Sequence, residues 1–169
     1  MIINASGRAP FILLCVALLA TPFASVRAED KPALAPALEI LDAGRRAYNE
    51  NKSDAAVERF REFLKLNAQT KEASAAQLGL GLALLDLPQK DFAGALAAFQ
   101  QATAKPEFSE RPTALYYQAF THRLLASLAL EQSAAKPAEA AAFNKTAADQ
   151  FSEAAKQFAA AAAAFSARA

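Results

Sequence analysis

The chain is poor in the residues that make most protein chemistry recognisable. Its 169 residues include one Cys, one His, one Met and no Trp. A single Cys closes no disulfide within the chain and builds no thiolate zinc site. A single His removes most metal and acid–base constellations. Glycine is scarce as well, with 5 in all. Two of them lie in residues 78–85, LGLGLALL, a helical pattern with no following Lys, so no phosphate-cradling loop is present. No sign of charge dominates: 18 Lys and Arg face 17 Asp and Glu, which leaves no electrostatic footprint for nucleic acid.

What is abundant is alanine, at 46 positions. With Leu, Glu, Lys, Gln and Arg it makes nearly every segment after residue 36 a strong helix former. The β-branched runs and frequent Gly turns of a sandwich or barrel are missing. The expected fold is all-α.

Residues 1–28 read as a signal peptide. Arg8 and the amino terminus supply a positive start, and Phe11 to Ala20 (FILLCVALLA) is an uncharged apolar run. It is too short for a bilayer helix, which takes about 20 residues, but it has the length of a signal core. Val26-Arg27-Ala28 then places small residues before a cut between Ala28 and Glu29. Removing Arg8 and Arg27 turns the slight positive charge slightly negative, and Cys15 leaves with the segment. The remainder is expected to be periplasmic or secreted, with no stable membrane span after cleavage. Residues 29–36 (EDKPALAP) read as a Pro-spaced linker, and 37–169 as the helical domain.

Within that domain the sequence predicts six helices, at 37–51, 53–67, 70–87, 90–104, 112–134 and 137–167. Ser53 and Thr70 are the expected caps, Pro112 the first residue of the fifth helix, and Pro137 the break before the sixth. A pattern recurs along them. Ala56, Phe60 and Phe63 are matched in spacing by Ala95, Phe99 and Ala102, and again by Ala154, Phe158 and Ala161. Phe92 and Phe151 stand three residues before two of these alanines. The preceding helices carry small residues, Gly44, Gly81 and Ala119, where two helices are expected to touch. Gly inside a helix costs about 0.5–1 kcal/mol against Ala, so close crossing is its expected reason. Such hairpins expose apolar stripes that only stacking on neighbours buries. Phe151, Phe158 and Phe165, seven residues apart, belong to this stripe. With few residues after Phe165 and no polar closing helix, the outer face of the last hairpin is expected to be covered by another chain or by further sequence.

The segment AGRRAYNENKSDAAVERFREFLKLNA, residues 43–68, resembles the tetratricopeptide repeat, with Gly44, Tyr48, Ala56, Phe60 and Phe63 on or beside its signature positions. DFAGALAAFQQAT, 91–103, is similar to a second copy of its B-helix, and QFSEAAKQFAAA, 150–161, to a third. The resemblance implies a solenoid of about three hairpins, the last with extended helices. It also implies a concave surface, formed by the first helix of each pair, that takes a partner protein or peptide. Mapped onto this chain, that surface carries Leu41, Arg45, Tyr48 and Asn49, then Leu78, Leu82 and Leu85, then Tyr116, Phe120 and Arg123. The partner-binding set drawn from it is Arg45, Tyr48, Asn49, Leu82, Leu85, Tyr116, Phe120 and Arg123.

No constellation for catalysis, cofactor or metal is evident, and the chain reads as a non-enzyme. His122 reads as structural. Glu58, Glu62, Asp54 and Glu72 lie among Arg59, Arg61, Lys65 and Lys71 at the three- and four-residue spacing of a solvated helix face. The expected function is an exported protein–protein interaction scaffold. The alternative is a structural, self-associating protein, joined through residues 112–167, or the N-terminal part of a larger envelope-assembly scaffold.

Overall fold

The computed structural model describes residues 31–167, and these are helical almost throughout. Six α-helices follow one another: α1 Lys31–Asn49, α2 Ser53–Asn67, α3 Ala73–Asp86, α4 Phe92–Thr103, α5 Arg111–Ala135 and α6 Ala140–Ser166. A single 3-10 turn, Pro137–Glu139, precedes α6. The expected signal segment and its cleavage point at Ala28 and Glu29 lie outside the described residues.

Several boundaries differ from the expected ones, each for a local reason. Helix α1 starts at Lys31, so the expected linker up to residue 36 overlaps its first turns. Pro32 falls where an N–H has no intrahelical acceptor, and Pro36 forfeits one ladder bond. Ser53 does not cap α2; it lies inside the helix, after Lys52. The chain reaches that point through Asn51, whose φ of 57° places it in the left-handed region that Asn tolerates. Thr70 does not cap α3 either. Its Oγ1 donates to Asn67 O at 2.9 Å, and its carbonyl accepts from Ala73 N, making a turn that delays the helix. Asp91 does cap α4, its side chain accepting from Gly94 N at 2.8 Å.

Each helix packs on the next in sequence, and α1 also touches α3. Short connections make consecutive helices antiparallel. The recurrent Ala and Phe positions are what they bury. Ala56, Phe60 and Phe63 on α2 are buried, as are Ala95, Phe99 and Ala102 on α4. Phe60 presses against Gly44 of α1 and Gly79 of α3, where an added Cβ would lie 2.9 Å and 2.5 Å from its ring. Phe99 meets Gly81 at 2.5 Å in the same sense and stacks on Tyr117 of α5, centroids 5.8 Å apart. Glycine here admits a ring, and the gain in packing offsets its low helix propensity.

Helices α5 and α6 form a longer hairpin. Ala147, Ala154 and Ala161, spaced by seven, are the buried residues of α6. They face Leu115, Ala119, His122, Ala126 and Ala129 of α5, which alternate at four and three residues and are also buried. Small side chains at both surfaces let the two backbones approach closely, as in a narrow coiled-coil seam. His122 Nδ1 donates to Gln150 Oε1 at 2.7 Å across the seam, so the one imidazole is buried with a partner.

Candidate functional site

The first helices of the three pairs, α1, α3 and α5, share one surface. Between them lies a cavity of about 410 Å³ lined by Tyr48, Leu82, Leu85, Asp86, Lys90, Phe92, Tyr117, Phe120 and Leu124. A second depression of about 300 Å³ adjoins it. Tyr48 and Leu82 line both, and the second adds Arg45, Asn49, Leu78, Gly79 and Glu110. Together they make a groove running along α3, floored by leucines and walled by aromatics.

The helical period explains the lining. Leu78, Leu82 and Leu85 recur at four and three residues on α3 and so share one stripe. Tyr117, Phe120 and Leu124 do the same on α5. Phe92 comes from the start of α4 and closes the end near Asp86.

Polar groups are few and fixed. The Tyr48 hydroxyl lies beside the Asp86 carboxylate at the end of α3. Burial first, and the neighbouring Asp86 carboxylate second, push the Tyr48 pKa up from 10.0 to about 12. Lys90 Nζ donates to Leu85 O at 2.9 Å, satisfying a carbonyl of the last turn of α3. Arg45 Nη1 donates to Asp42 Oδ1 at 2.9 Å on the exposed rim. The Arg123 guanidinium sits 4.9 Å from the centroid of the Phe120 ring, a cation over an aromatic face.

Six of the eight sequence-predicted residues line these two depressions: Arg45, Tyr48, Asn49, Leu82, Leu85 and Phe120. Arg123 lines neither depression; it is exposed, with its guanidinium over the Phe120 ring. Tyr116 does not enter the groove. It packs edge-on against Phe158 of α6, centroids 5.6 Å apart, and against Tyr117 at 5.4 Å. Tyr117 takes the inward place instead. Tyr117, Leu124, Asp86, Lys90 and Phe92 were not expected. The stripe Tyr117–Phe120–Leu124 was available from helical spacing, but Tyr116–Phe120–Arg123 fits that spacing equally well.

Among the described residues no group of three or more His, Cys, Asp or Glu side chains is placed to hold a metal ion. No described helix is long and apolar enough to cross a membrane. No family model matches the chain, and neither does any curated protein or solved structure.

Proposed function

We propose that this chain is an exported, non-catalytic interaction scaffold of tetratricopeptide-like architecture, and that it binds a partner polypeptide in the groove along α3. One observation carries the reading: alternate helices α1, α3 and α5 contribute a continuous apolar floor and aromatic walls. Such a surface suits an extended or amphipathic segment, whose apolar side chains enter the floor while its backbone and polar face stay toward the rim. The polar residues Arg45, Asn49 and Arg123 supply orientation. Export to the periplasm or beyond rests on the pattern of residues 1–28.

A displayed random-peptide library tests the groove without knowledge of the natural partner. The parent chain should enrich binders with two or more apolar anchors. A variant carrying Tyr48→Ala and Phe120→Ala, with unchanged circular dichroism, should not retain them. Equal retention by that variant would count against the groove.

A further inference from the structure

Phe60 and Phe99 each pack between two neighbouring helices, but Phe158, third in the same pattern, has only one. Its ring meets Tyr116 of α5 and is otherwise half-buried, because no helix follows α6 among the described residues. Around it runs a complete surface stripe: Asn144, Ala148, Phe151, Ala155, Phe158, Ala162 and Phe165, at four- and three-residue intervals. The six besides Phe158 are exposed. This stripe is distinct from the buried one formed by Ala147, Ala154 and Ala161.

The geometry points to a second copy of this chain as the occupant, with the two α6 helices antiparallel about a two-fold axis between Lys156 and Gln157. Two features of the stripe lead there. It is self-complementary: in that register Ala155 faces Phe158, Phe151 faces Ala162 and Ala148 faces Phe165, large against small at every step. A parallel pairing would instead set Phe on Phe. The stripe is also uncharged. A two-fold axis brings like residues together, so charges on it would repel. The charged residues of α6 lie off the stripe and pair among themselves, Lys145 with Asp149 at 2.6 Å and Lys156 with Glu153 at 3.2 Å. On α5, the Arg123 guanidinium is held over Phe120.

Area sets the strength of the pairing. Helix α6 has 27 residues. A helix of that length, about 40 Å long and about 10 Å wide, covers roughly 400 Å² on each copy. That is about half of what a tight complex buries per partner. The dimer is therefore a weak, concentration-dependent one, and it stands whether or not the groove binds a peptide.

Sedimentation equilibrium on the full chain, from micromolar to near-millimolar concentration, tests the pairing. The parent should move from monomer to dimer and no further. Ala155→Glu with Ala162→Glu changes only exposed positions to another good helix former, and should stay monomeric with unchanged helix content. Phe151→Gln should weaken association at least tenfold, and Ala160→Glu, on the opposite face of α6, should leave it unchanged. A parent that stays monomeric throughout, assembles beyond two, or dimerises equally well as the double variant overturns the proposal.

Discussion

The ring of Phe60 lies so close to Gly79 that a Cβ on that residue would sit 2.5 Å from its Cζ. Gly44 meets the same ring from the other side. One phenylalanine on α2 thus sets the spacing of α1 and α3 and, through α3, the width of the groove.

Replacing Gly79 by Ala should therefore destabilise the chain although Ala is the better helix former. The propensity gain is about 1 kcal/mol, and overpacking of this kind costs about 1–3 kcal/mol. A net loss of up to about 2 kcal/mol in urea denaturation is expected. In a Phe60→Leu background the same change should be neutral or stabilising. A cost that does not depend on residue 60 would contradict the close approach.

Alkaline stability should report on Tyr48. Its pKa is about 12 in the folded chain, raised from 10.0 by burial and by the neighbouring Asp86 carboxylate. A raised value means the folded state favours the protonated phenol. Its contribution is complete below about pH 10, the ordinary value for Tyr, and is lost as pH climbs to about 12. Denaturant midpoints should fall across that window, and Tyr48→Phe should remove part of the fall. An identical pH profile in the two proteins would show that Tyr48 is not held this way.

The bond between His122 and Gln150 fixes the register of α5 on α6. Gln150→Ala should cost about 1 kcal/mol, the usual net worth of such a bond. A double-mutant cycle with His122→Ala should give a coupling of similar size, because the two side chains touch. Additive effects would place the imidazole elsewhere.

Much of this was legible in the sequence because it depends on spacing. Six helices, the Ala and Phe pattern, and the role of Gly44 and Gly81 follow from helical periods and from the cost of Gly. Residues whose partners are distant were harder to place. Gly79 reads as one more residue in a leucine-rich helix, and only the structure brings it onto Phe60 from the next hairpin. Asp86 and Lys90 look like solvated turn residues, yet one lies beside the Tyr48 hydroxyl and the other caps α3. Tyr116 and Tyr117 are neighbours on one helix, 100° apart in an ideal α-helix, so a small rotation decides which faces the groove. Thr70 and Ser53 have capping chemistry but lost the position to turns formed by the backbone around them.

The most direct test of the groove as the binding surface is amide chemical-shift mapping with a library-selected peptide. The groove reading expects perturbations concentrated at Tyr48, Leu82, Leu85, Tyr117, Phe120 and Leu124, with α2 and the outer face of α4 unmoved. Perturbations centred on those outer faces, with the groove silent, would contradict it.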